Sequence, residues 1–135
     1  MTHHLTANVW FPISESFDEC AARLTRVIPG FIFEEENDGR YDEVPAFEAK
    51  SGTMQFVLFG VPFDEDGDEY ELHFKCRTDL PLASLLAQDE GGFIRRFVHE
   101  KEVNERGFLD YSEELARLLV ESGIPGCKPI LPVQM

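Results

Sequence analysis

The sequence predicts an α+β domain: a mostly antiparallel mixed sheet of about five strands, with one N-terminal helix packed on it and two or three helices after it. Three observations carry this. Residues 69–77 alternate strictly, with Tyr70, Leu72, Phe74 and Cys76 on one side and charged or polar groups on the other, the period-2 mark of a half-exposed antiparallel strand. Phe17, Ala21, Leu24 and Ile28 recur at helical spacing and form one apolar stripe. After Arg77 the pattern changes to short helical pieces broken by Gly91-Gly92 and Gly107. At 135 residues the chain reads as one domain spanning 1–135, long enough to bury roughly two thirds of the surface its unfolded form exposes.

Residues 5–11 form the first strand, ended by Pro12. Ser16 and Glu19 have capping-box spacing, so a helix begins there, and Pro29-Gly30 stops it. Residues 31–33 followed by Glu34, Glu35 and Glu36 read as a strand whose far end runs into solvent. Residues 37–40 are turn chemistry, with Asp-Gly as a favoured hairpin pair. The returning strand spans 44–50, with Pro45 at its beginning or on an edge. Residues 54–61 are apolar at odd and even positions alike, as in a strand covered on both faces, and the residue 16–28 helix is expected on one of them. An acidic turn, 64–68, connects this strand to the alternating one.

Past Arg77, Asp79 is placed to cap a short helix starting near Pro81, with Leu82, Leu85 and Leu86 on one side. A second helical piece is expected over 93–103, with Ile94, Phe97 and Val98 inward. A third, capped by Asp110 or Ser112, presents Leu115, Leu118 and Leu119, and Gly123 and Pro125 end it. The proline-rich tail, 126–133, is expected to run extended over a surface or an edge. No repeat or linker is visible.

The formal net charge is −14, and it is uneven: residues 1–75 carry 16 acids and 5 Lys or Arg, residues 76–135 carry 10 and 7. Such a field repels nucleic acid and anionic membranes and attracts basic surfaces; solubility alone is the competing explanation. No apolar run approaches the roughly 20 residues that cross a bilayer, and residues 1–5 do not resemble a signal peptide. Cys20, Cys76 and Cys127 form an odd, widely spaced set, which points to reduced thiols in a cytoplasm.

Motifs for catalysis are missing from the sequence, so no enzyme activity and no cofactor is expected. Asp64, Asp66 and Asp68 match the first three ligands of an EF-hand loop, but Glu69 stands where its glycine belongs and Lys75 where its bidentate glutamate belongs. His3-His4 sits at a terminus, a part of a chain that is usually mobile. His73 falls on the polar side of its strand, and His99 with Glu102 or Glu105 is far short of a metal set. Cys20 borders an apolar stripe, where an inert buried thiol is the simpler reading than a nucleophile. Charge remains. Residues 34–71 hold 13 acids against Arg40 and Lys50. If the turns at 37–40 and 64–68 share one end of the sheet, then Glu34, Glu35, Glu36, Asp38, Asp42, Glu43, Asp64, Glu65, Asp66 and Asp68 make one anionic rim for a basic protein partner. Phe63 and Tyr70 are its candidate aromatic anchors, with core packing as the alternative for both.

In size, acidity and order of elements (a strand, a helix, four strands, then helices) the chain resembles bacterial toxin-immunity proteins of the contact-dependent and polymorphic toxin systems. The resemblance implies an acidic surface that covers a basic toxin domain, often a nuclease, and fast electrostatically steered association. A second resemblance is to the acidic dimeric chaperones of type III secretion, although the initial strand departs from their helix-first order. A nucleic-acid mimic and a small-molecule enzyme or binder are further alternatives, the last favoured by a deep pocket.

Overall fold

The computed structural model describes residues 2–36, 44–62, 67–104 and 107–130. Along the chain come β1 (His3–Pro12), α1 (Phe17–Val27), β2 (Glu34–Glu35), β3 (Ala46–Ser51), β4 (Met54–Phe59), β5 (Glu69–Thr78) and α2 (Leu82–Leu86). A 3-10 turn at Ile94–Arg96 follows, then β6 (Leu109–Asp110), α3 (Ser112–Glu121) and β7 (Lys128–Pro129). The strands form one seven-stranded sheet in the order β2-β3-β4-β5-β1-β6, with β7 also on β1. All described pairs are antiparallel except β1 with β6.

The sheet is built on β1 and β5, which pair along their whole length from His3↔Thr78 to Pro12↔Glu69. Their alternation separates two faces. Leu5, Ala7, Val9 and Phe11 of β1 lie beside Cys76, Phe74, Leu72 and Tyr70 of β5, and all eight are buried. Met54, Phe56 and Leu58 of β4 continue this inner face. Rings link it to the segments above: Phe31 meets Phe56, Phe56 meets Phe74, Phe74 meets Phe97, and Phe97 meets Tyr111, with centroids 4.9 to 6.4 Å apart. Cys20, Ala21 and Leu24 of α1 and Leu115, Leu118 and Leu119 of α3 complete the same core.

The outer face carries His4, Thr6, Asn8 and Trp10 beside Arg77, Lys75, His73 and Glu71, and then Gln55, Val57 and Phe59. Among the described residues no helix covers it, which corrects the expectation of a β4 strand covered on both faces. Val57 is still buried, because the register sets Glu48 and His73 on either side of it and their longer side chains shield a short one.

α1 begins at its expected N-cap, although Glu19 meets the Ser16 hydroxyl rather than the Ser16 amide of a full capping box. Ser16 Oγ accepts from the Glu19 amide at 3.2 Å and donates to Glu19 Oε1 at 2.9 Å. Beyond its end, Pro29 lies against Gly91, where an added Cβ would stand 2.0 Å from the Pro29 carbonyl oxygen; only glycine fits.

Other expectations need correction. The sheet has seven strands rather than about five because two two-residue strands, β6 and β7, are created by pairing and leave no periodic trace, and the strand expected from residue 31 narrows to β2, Glu34–Glu35. β6 and β7 close the far edge of β1, together with three bonds of 2.8 Å: Tyr111 N to Thr6 O, Asn8 N to Ser112 Oγ and Ile130 N to Asn8 O. The helix expected over 93–103 shrinks to the 3-10 turn. Tyr111 Oη takes the His99 carbonyl that a longer helix would use, at 2.6 Å, while Arg95 N in the first turn donates to the buried Asp89 Oδ2 at 3.0 Å. Asp79 does not cap α2, whose first turn has no side-chain cap; its carboxylate accepts from the Thr2 hydroxyl at 2.6 Å. The N-cap of α3 is Tyr111, without a side-chain cap, rather than Asp110 or Ser112; Asp110, one residue before it, accepts from both the Ser112 amide and hydroxyl.

Candidate functional site

At one end of the sheet the strand ends are tied by backbone bonds: Glu36 N to Ala46 O, Gly60 N to Pro45 O and Ile13 N to Asp68 O, each 2.9 to 3.0 Å. The connections 36–46 and 60–68 both leave the sheet here, since Ala46 pairs with Phe59 and Phe59 with Glu71. Glu34 and Glu35 lie exposed on edge strand β2, Glu36 is half-buried, and Asp68 is exposed beside exposed Glu69. Glu34 sits directly across from Glu48, a like-charge pair that costs stability; Gln55 Nε2 donates to Glu48 Oε2 at 2.7 Å and offsets part of that. Asp38, Asp42, Glu43, Phe63, Asp64, Glu65 and Asp66 lie outside the described residues.

Tyr70 is not an exposed anchor. Its ring packs between Phe11 and Phe17 in the core, and its hydroxyl donates to Glu15 O at 3.1 Å. Burial, then the nearby Cys20, Glu15 and Asp18, push its pKa up. The signal was in the sequence: Tyr70 shares its strand face with Leu72, Phe74 and Cys76.

The opposite end holds groups that pattern reading did not assemble. His99 Nε2 meets Glu114 Oε2 at 3.0 Å, rather than Glu102 on a helix, and Glu105 lies outside the described residues. Lys101 Nζ reaches the same carboxylate at 2.5 Å and Asp110 O at 2.7 Å, and it stands 4.7 Å from the Tyr111 ring centroid. Burial alone raises the Glu114 pKa, but bonds from Lys101, its own amide and His99 outweigh that and hold it below the usual value. Burial, with Glu114 and Glu100, pushes Tyr111 up to about 12.

His3 and His4 belong to β1, paired with Thr78 and Arg77, and are not a loose terminus. Beside them opens a groove of about 400 Å³, floored by Leu5, Leu85 and Tyr111 and rimmed by Leu80 and Val103. On the outer face a second depression of about 450 Å³ is lined by Thr6, Gln55, Lys75, Arg77 and Phe108. His4 and Leu5 line both. His73 sits elsewhere on that face, 2.9 Å from Glu71 and edge-on to Phe59.

All three cysteines are free and buried. Burial pushes Cys20 and Cys127 up to about 12, so neither supplies a thiolate nucleophile near neutral pH. Among the described residues no group of three His, Cys, Asp or Glu side chains is placed to hold a metal ion, and no helix is long and apolar enough to cross a membrane. Comparison with protein-family models, with curated proteins and with solved structures finds no match to this chain.

Proposed function

We propose that this chain is an acidic binding protein that occupies and blocks a basic protein partner, as a toxin-immunity protein covers its toxin in the cytoplasm. One observation carries the reading: the described flanks of both acid-rich connections leave the sheet at the same end. Glu34, Glu35, Asp68 and Glu69 are exposed there. Acids gathered at one end create a directional field, which steers a cationic partner to that end and repels nucleic acid and anionic lipid. The chemistry is recognition, with no catalytic step and no cofactor.

The test is charge reversal of Asp64, Asp66 and Asp68 to Lys, on a partner captured from cytosolic lysate and then purified. Rim charges act mainly on the encounter, so the variant associates more slowly and loses much of the wild type's salt sensitivity. Equal association rates at low salt, with the fold intact, would overturn the reading, as would capture of no basic protein.

A further inference from the structure

Five large apolar side chains are exposed among the described residues, and three of them, Leu80, Val103 and Phe108, gather at the end of the sheet opposite Glu34, Glu35 and Asp68. A scattered exposed leucine is ordinary, but a cluster around a concavity marks a binding surface. Leu80 and Val103 rim the groove of about 400 Å³, a volume within the roughly 300–1,000 Å³ of small-molecule sites. Phe108 lies just outside, its ring edge-on to the His4 imidazole at 5.4 Å. His4 is also the wall shared with the second depression.

That second depression is cationic. Lys75 and Arg77 project from alternate positions of β5, hence on one side, and their β1 neighbours are Thr6 and His4. Gln55 adjoins Lys75 from β4. No ion pair engages Lys75 or Arg77 among the described residues. The Thr6 hydroxyl oxygen already accepts from Asn8 Nδ2 at 3.3 Å, so its proton is left to donate. The acids around the pair are Glu48, whose Oε2 accepts from Gln55 Nε2 at 2.7 Å, Asp110 directly across from Thr6, Asp79, and Glu100 on the groove wall. Asp79 accepts from Thr2, and Asp110 from Ser112. Along β5 the acidic end at Glu69 lies roughly 20 Å from Lys75 and roughly 27 Å from Arg77, about two to three Debye lengths at physiological salt.

We infer that the two depressions form one site for a small anionic amphiphile, such as a medium-chain carboxylate. The hydrocarbon chain lies in the Leu80–Leu85–Val103 groove and the head group turns past His4 to Lys75 and Arg77. Charge selects the head: a cationic amphiphile meets two unpaired cations, and a neutral one leaves them unused. Lys101 takes no part, because Glu114 and Asp110 already hold it.

Calorimetric titration of the full chain with decanoate, decan-1-ol and decyltrimethylammonium, all kept below micelle-forming concentrations, tests this. Decanoate should saturate one site per chain, decanol should bind at least about tenfold more weakly, and the cation should not bind. Leu80→Ser with Val103→Ser removes apolar groups that are already exposed, so the fold survives, which circular dichroism checks; both decanoate and decanol binding should fall about tenfold or more. Lys75→Gln with Arg77→Gln should bring decanoate down to the affinity of decanol and leave decanol unchanged. Absence of saturable decanoate binding, equal affinity for the three probes, or indifference to either pair of substitutions overturns the assignment.

Discussion

Cys20 and Cys127 lie almost wholly within the core, where a sulfur without water around it disfavours the thiolate; both pKa values therefore rise to about 12. A raised thiol pKa means that the neutral form, the one the core accepts, is favoured at every pH below the unfolded value of 9.0. That contribution to stability is lost only as pH climbs from there through about 12. Two results should follow. Native protein at pH 8 should react with a thiol-alkylating reagent orders of magnitude more slowly than unfolded protein, whose three thiols all label. Stability should stay insensitive to these groups up to about pH 9 and decline above it. Fast stoichiometric labelling of folded protein would remove the cysteines from the core. Tyr70 obeys the same physics and teaches the converse: its position in an alternating strand already assigned it to the buried face, whereas its candidacy as an anchor rested on residue type alone.

Local periodicity explains which elements can be read from the sequence. α1 is legible because capping and packing agree: Ser16 and Glu19 start it, and Cys20, Ala21 and Leu24 face inward one turn apart. Leu24 is fully buried, so Leu24→Ala should cost roughly 2–5 kcal/mol, measured by urea unfolding; a loss under about 0.5 kcal/mol, typical of surface positions, would contradict its place against the sheet. β5 is legible for a similar reason, having one wet and one dry face. β6 is not, because two residues cannot show a period and its existence depends on pairing with β1 from far along the chain; β7 is legible only as an extended tail on an edge. Residues 93–103 mislead in the opposite sense. Ile94, Phe97 and Val98 have helical spacing and are buried, yet Tyr111 claims the His99 carbonyl that a longer helix would use. A long-range hydrogen bond overrides the local preference there.

Considered as a body of charge, the domain is lopsided. Among the described residues Glu34, Glu35, Asp68 and Glu69 are exposed at the end where β2 meets β3 and β4 meets β5, while Lys75 and Arg77 stand at the other end of the outer face. The acid-rich stretch is legible as composition, but the departure of both its connections from one end of the sheet depends on strand order, and so does the meeting of His4 with Phe108 across more than a hundred residues of chain. Crowding like charges favours encounter with a cationic partner and works against the compact state, since the acids repel one another more when folded than when the chain is expanded. Salt screens this repulsion. Raising sodium chloride from low to physiological concentration and beyond should therefore raise Tm, by roughly 2–8 °C if the relieved repulsion is on the order of 1 kcal/mol. Neutralising the crowded end through Glu34→Gln, Glu35→Gln and Asp68→Gln should raise Tm at low salt and shrink the further gain from added salt. A Tm that ignores or falls with sodium chloride, or a triple variant with the wild-type salt response, would mean that these acids are too dispersed to generate a common field. In that case their arrangement would serve solubility, and steering of a partner would lose its physical basis.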